Sequence, residues 1–250
     1  MAKQLGITKL EGTIGDITFY KSQDGMMARQ KTTVSGNRST DPAFARVREN
    51  AQEFGRAGKA GKVLRAAFSK FLSKSADGRV ISRLVQAIMD VQKTDITSAR
   101  GERNIWSGDA SLLKGFNFNI KSPLSTVLSE QYTTAIDRVT GVASVSIPAY
   151  IPQDAINAPA GTTHFKLISA ASAVDFLNES YQSVSASSAE IAYGTQQEAL
   201  LTLTHNLPAN SADPLFLVLG VEFYQEFNGS LYQLKTGSFN ALTIIAVDVN

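Results

Sequence analysis

Cysteine is absent from the 250 residues, which excludes disulfides, thiol catalysis and thiolate metal sites together. Histidine is nearly absent: the chain has two, His164 and His205, so a Ser-His-Asp or histidine-metal site must use one of them. Neither has a second histidine or a close acid at ligand spacing. No G-x-S-x-G, H-E-x-x-H or G-x-G-x-x-G motif occurs. No apolar run approaches the roughly 18–20 residues that span a bilayer. The first residues carry one lysine but no hydrophobic stretch, so no standard secretory signal is visible. The expectation is synthesis in the cytoplasm, with the site of action, inside a particle or outside the cell, left open.

What the chain does have is a division of charge. Residues 29–103 hold sixteen Lys/Arg against seven acids, a net of +9, whereas residues 104–250 hold five against twelve, a net of −7. Residues 1–28 balance, so the overall net is only +2. A basic segment joined to an acidic one points to an electrostatic partner: nucleic acid, an acidic protein or another copy of the chain. Hydrophobic content of 43% and charged content of 18% fit a folded protein.

The pattern predicts an α+β chain in three parts. Residues 1–40 read as a β-hairpin arm, with alternating strands over 13–20 and 26–33 around Asp24-Gly25, a pair that tolerates positive φ. A polar loop over 35–40 follows. Residues 41–100 read as a basic antiparallel helical pair. Asp41-Pro42 opens the first helix, and Phe44, Val47, Ala51, Phe54, Gly58, Gly61, Leu64, Phe68 and Phe71 mark one face. After a break at 75–78, Val80, Leu84, Val85, Ile88 and Val91 mark the second helix. Residues 101–250 read as an acidic antiparallel β-sandwich, immunoglobulin-like by pattern, without the Cys-Trp-Cys hallmark. Its strands are expected at 116–120, 132–136, 142–147, 163–169, 181–186, 199–204, 214–227, 231–235 and 241–249. Turns are marked by Thr140-Gly141 and Asn228-Gly229.

Candidate chemistry is thin. Gly55 to Val63 looks like a phosphate loop, but five residues separate Gly55 from Gly61, Val63 replaces the Mg²⁺-binding Ser/Thr and no strand precedes it. Gly58 and Gly61 read better as a thin helix flank for close packing. The row Arg46, Arg48, Arg56, Lys59, Lys62, Arg65, Lys70, Lys74, Arg79 and Arg83 fits phosphate contacts, subunit contacts or a solvated face. No aromatic interleaves it for stacking on single strands. Trp106, the lone tryptophan, reads as a packing seam between helices and sandwich. Glu222 and Glu226 are carboxylates of the acidic half. Asn37, Asn178 and Asn228 begin N-x-S sequons that carry no weight without a secretory signal.

Gly12-Thr-Ile-Gly-Asp-Ile-Thr-Phe-Tyr-Lys21, the following turn and Arg29-Gln-Lys31 resemble the opening of small uncharacterised proteins abundant in Bacteroidota. Those proteins have a Gly-x-Ile-Gly hairpin, a basic segment and a helical region. Leu112-Leu-Lys-Gly-Phe-Asn-Phe-Asn119 has the look of a family block. The resemblance implies a β-rich C-terminal half and no catalytic residue, since that family has no established activity.

Together these readings predict a non-enzymatic structural protein without cofactor or metal, a self-assembling subunit of a filament, tube, sheath or shell. Basic helices of one copy would meet the acidic half of the next head to tail, and the hairpin arm or the last strand would add to a neighbour's sheet. The interface candidates are Arg46, Arg56, Gly58, Lys59, Gly61, Lys62, Arg65, Trp106, Glu222 and Glu226. The alternatives are a binding or adaptor module of a phage-tail-like or other large machine, and a nucleic-acid-associated protein.

Overall fold

The computed structural model describes residues 2–4, 9–22, 24–31, 38–234 and 239–249. It combines helices with antiparallel sheets, as expected for an α+β chain. The chain divides into two compact units, residues 1–45 and 46–250. From Arg46 onward the helices and the later strands fall in one unit, whereas 41–100 and 101–250 were expected as separate parts.

In the first unit, β1 (Ala2–Lys3), β2 (Gly12–Ile14), β3 (Ile17–Ser22) and β4 (Gly25–Gln30) form an antiparallel sheet in the order β1-β4-β3-β2. The run 13–20, expected as one strand, is two. Gly15 adopts a φ of +56° and turns the chain with Asp16, so that Ile14 pairs with Ile17. The apolar phase shifts at this turn, from Ile14 to Ile17 and Phe19, a break that the reading of one strand passed over. Gly25, at φ +111°, closes the β3–β4 connection opposite Ser22. Gln23, residues 32–33 of the expected return strand, half of the loop expected over 35–40 and Lys235 of the strand expected over 231–235 lie outside the described residues.

Asp41 accepts a hydrogen bond from the Ala43 N–H at 2.8 Å, and a 3₁₀ turn leads into α1 (Ala45–Ala67). The helix expected to reach Phe71 breaks at Phe68, whose φ and ψ are −113° and 18°. α2 (Ser69–Ser75) and α3 (Val80–Gln92) follow. On α3, Val80, Leu84, Val85, Ile88 and Val91 are all buried. Gly61 of α1 lies against that face: a Cβ there would stand 3.4 Å from Ile88 Cδ1, while one at Gly58 would meet nothing within 4 Å.

Two one-turn helices, α4 (Leu124–Val127) and α5 (Pro152–Ala155), lie among the strands β5 (Thr133–Asp137), β6 (Val142–Ile147) and β7 (His164–Asp175). β8 (Ser180–Ser187), β9 (Ile191–Ala192), β10 (Leu201–Asn206), β11 (Leu215–Phe227), β12 (Ser230–Gln233) and β13 (Ala241–Asp248) complete the unit. A three-stranded sheet runs β10-β6-β5. A six-stranded sheet is built on β7 and β11, with β8 and β9 beside β7, and β12 and β13 beside β11.

β7 and β11 are buried on both faces. Phe165, Leu167, Ala171, Ala173, Leu215, Leu217, Leu219, Val221 and Phe223 share a core with Val145 and Leu203 of the smaller sheet. Ile168, Ala170, Val174, Phe216 and Val218 share another with Leu64, Phe68, Leu84 and Ile88 of the helices. Each such Leu, Ile or Phe contributes about 1.5–3 kcal/mol on burial. Gly220 keeps the sheet closed, because a Cβ there would stand 2.4 Å from the Ala241 carbonyl oxygen.

The stretch expected as a strand over 116–120 is one bridge, Asn117 to Thr243. The Phe118 N–H donates to Leu242 O, but its other side is consumed: Arg83 donates to the Asn117 and Phe118 carbonyls, and the Asp77 N–H donates to Phe118 O. The segment thus ties α3 to β13, with Phe118 fully buried.

His205 is enclosed between the sheets. Ser169 Oγ donates to Val218 O at 2.8 Å, so it accepts from His205 Nε2–H at 2.9 Å. Nδ1 is buried with no hydrogen-bond partner among the described residues. The serine proton is committed to a carbonyl, and the pair is no nucleophile–base dyad. Burial holds the His205 pKa below its ordinary 6.5. As pH falls below that value the unfolded chain binds the proton first, and stability drops. His205→Asn should flatten the stability–pH profile between about pH 6.5 and 5, read by urea unfolding. An unchanged slope would remove His205 as its source.

Candidate assembly surface

Of the apolar face expected on the first helix, Gly61, Leu64, Phe68 and Phe71 are buried as expected, but over the first half of α1 the fold buries a different stripe. Its inner face is Glu53, Ala57, Ala60, Gly61, Leu64 and Ala67. Of the stripe expected to face the core, Val47 is 51% and Phe54 57% exposed. Ala51 between them is exposed as well, and Gly58 is half-buried. The cause is the chain after α3. Glu53 accepts from the Gly101 N–H at 2.8 Å, and Arg56 donates to the Gly101 and Arg103 carbonyls. This segment is anchored by buried Asp95, which accepts from Thr97 N–H, Thr97 Oγ1–H, Ser98 N–H and Asn104 N–H. Burial works against the Asp95 charge, yet these hydrogen bonds prevail and hold its pKa far below the ordinary carboxylate value.

The candidate residues scatter over several roles. Arg46 pairs with Glu49 at 2.9 Å on the surface of α1. Arg56 is a staple for the 101–103 segment rather than a cation offered to a partner. Arg65 turns back to donate to the Gly61 carbonyl at 3.1 Å. Lys62 is exposed. Glu226 is exposed, 4.0 Å from His164 Nδ1. Glu222, expected on an acidic docking face, is 4% exposed. It takes Lys74 Nζ at 3.0 Å and the Tyr224 hydroxyl at 2.7 Å. It belongs to the interior because β11 places it on the face that α2 covers. Burial, and then the Glu222 carboxylate, push the Tyr224 phenol up, which keeps it a proton donor.

Part of the charge complementarity is therefore satisfied within the chain. Lys74–Glu222 and Lys59–Glu179, at 3.0 and 3.3 Å, join the basic helices to the acidic strands of the same molecule. The pairs of Arg46 and Arg100 with Glu49, Arg83 with Asp77 and Lys93 with Asp90 stay inside the basic segment. Those of Arg138 with Asp248 and Lys166 with Glu190 stay inside the acidic one. Local pairing leaves the separation of sign between the segments intact.

Trp106 stands where the helices meet the β7–β8 connection, 47% exposed. On one side a cleft of about 440 Å³ is walled by Trp106, Phe176, Pro214 and Val249, with Asp109 and Asp213 at its rim. On the other a smaller cleft is lined by Arg56, Lys59, Leu177 and Glu179. Burial and the neighbouring Asp175 charge raise the Asp213 pKa, against the pull of Arg138. The seam expected at Trp106 is a half-open ledge, acidic on one flank and basic on the other. Sequence reasoning passed over Phe176, Leu177 and Asp213, which lie far from Trp106 in the chain.

Among the described residues no group of three or more His, Asp or Glu is placed to hold a metal ion, and no helix is long and apolar enough to cross a membrane.

Lys74→Met should cost about 1–3 kcal/mol by urea unfolding, because Glu222 is left buried without its cation. Adding Glu222→Gln should recover part of that loss. Additive losses would show the pair to be uncoupled. Compared with protein-family models, curated proteins and solved structures, the chain matches none.

Proposed function

We propose that this protein is a non-enzymatic structural subunit that assembles with copies of itself into a filament, tube, sheath or shell. The observation that carries this reading is the outer face of α1, where Val47, Ala51 and Phe54 form an exposed apolar stripe over two turns. A helix with a satisfied inner face has no folding reason to carry a second apolar stripe in water. The segment that bears it holds a net of +9, and the strands that follow hold −7. A second copy supplies both complements: apolar surface for Phe54 and acidic surface for the surrounding cations. The two sheets enclosing one core support an immunoglobulin-like sandwich as the acidic partner half.

The Trp106 cleft favours a second reading, a module that holds a partner inside a larger machine. A half-exposed tryptophan beside a pocket of this size is a common anchor for recognition. Co-purification with a fixed partner, without homopolymer, would select it.

The test is the state of the purified protein across a salt series, by sedimentation and negative-stain imaging. The wild type is expected to form polymers that weaken as salt screens the charged contact. Val47→Ser with Phe54→Ser should abolish the polymer while leaving the protein folded, since both side chains face solvent. A wild type that stays monomeric at high concentration and low salt sinks the proposal.

A further inference from the structure

Strand β8 has the properties of an unused pairing edge. Over Ser180–Ser187 it pairs, among the described residues, with β7 alone. Seven of its eight residues are exposed, on both faces of the sheet. It contains no Lys, Arg, Asp, Glu or Pro, the residues by which edge strands ordinarily repel a neighbour. β10 runs near it at the corner between the sheets, without pairing to it among the described residues. Most other edges among the described residues are less open: β2 is three residues long and β12 four, β5 carries Asp137, and β13 is met by the 115–118 segment, while the uncharged edge β10 is shorter than β8 and lies beside it.

The backbone determines how a second strand would fit. The Ser188 N–H donates to Leu167 O, and the ladder keeps that register. In an antiparallel pair the bonded residues alternate. Gln182, Val184 and Ala186 therefore bond toward β7, while Tyr181, Ser183, Ser185 and Ser187 turn their N–H and C=O groups outward. Those four lie opposite Val174, Ser172, Ala170 and Ile168, so their side chains share the helix-covered face.

We infer that β8 is an isologous interface, pairing antiparallel with β8 of a second copy about a two-fold axis through Ser183. Outward groups must meet outward groups, so odd residues pair with odd residues. Centring on Ser183 overlaps seven residues of each strand, as many as any register that satisfies this, and of the two such registers it is the one that sets Tyr181 opposite Ser185, beside Lys70. Ser183 then faces its own copy, and Tyr181 faces Ser185. Lys70 Nζ sits 3.1 Å from Ser185 Oγ, which brings an ammonium to the Tyr181 ring of the other copy, a cation–π contact. The paired strands are uncharged, so the symmetric approach sets no like charges directly opposite each other.

This inference deepens the assembly reading and rests on it. A two-fold contact closes a pair, and an open polymer then needs the α1 face as its second contact.

The lack of cysteine makes the register testable by single substitutions. Ser183→Cys places two thiols opposite each other at the Cα separation of a bonded pair, about 5.5 Å, within disulfide reach. Ser187→Cys places them about eight residues apart along the strands, beyond reach. Under mild oxidation Ser183→Cys should give covalent dimer on non-reducing gels and Ser187→Cys none. Ser183→Lys should weaken dimer formation about tenfold or more while leaving the thermal transition in place. Equal crosslinking of both cysteine variants overturns the register. A wild type that oligomerises while Ser183→Cys fails to crosslink overturns the β8 interface and leaves self-assembly standing. A monomeric wild type overturns both.

Discussion

β7 and β11 pair antiparallel over ten residue positions, with both faces of the ribbon buried. Every other layer of the larger unit takes its place from this pairing. The helices cover the face of Ile168, Ala170, Phe216 and Val218, and the three-stranded sheet covers the face of Leu167, Ala171, Leu217 and Leu219. An antiparallel sheet usually leaves one face to water. Here two-sided burial leaves little room for polar side chains, and those inside are bonded: Ser169 to Val218, Glu222 to Lys74 and Tyr224. Buried His205 shows the tension of this arrangement, with one ring nitrogen satisfied and the other not.

The charge asymmetry takes a different meaning once the helices lie on the sheet. Two of its possible contacts, Lys59–Glu179 and Lys74–Glu222, are made inside one molecule. The first is exposed and worth at most about 1 kcal/mol. The second is partly enclosed and holds α2 on β11. The other ion pairs among the described residues join charges of one segment to each other. The helical flank remains basic and the strands remain acidic, so the long-range field that would orient another copy survives the fold.

Among the described residues, the outer stripe of α1 and the edge of β8 are both left uncovered. They differ in physics. The α1 stripe offers apolar area beside cations, which suits a heterologous contact with an acidic surface. The β8 edge offers backbone hydrogen-bonding groups flanked by small uncharged side chains, which suits another strand. A heterologous contact propagates and an isologous one closes. In the proposed assembly the two together would set whether pairs of subunits are strung into an extended polymer.

By itself the sequence determined the mixture of helix and antiparallel strand, because residue spacing and turn chemistry act locally. Asn228 and Gly229 both take positive φ where that pair signals a turn, and α3 buries the residues its spacing marks. It also determined the separation of charge, which is a matter of composition along the chain. Only the tertiary structure decided which stripe faces inward over the first half of α1. Both stripes fit a helical period, and the choice came from the 93–105 segment bonding to Glu53 and Arg56. The same holds for Glu222, whose burial depends on α2 lying over β11, and for Trp106, whose ledge is completed by residues about seventy positions later. Phe116 and Phe118 alternate like a strand, yet Arg83 takes the carbonyls a strand would have shared. Local pattern states what a segment can form; burial and partner choice depend on which distant segment reaches it first.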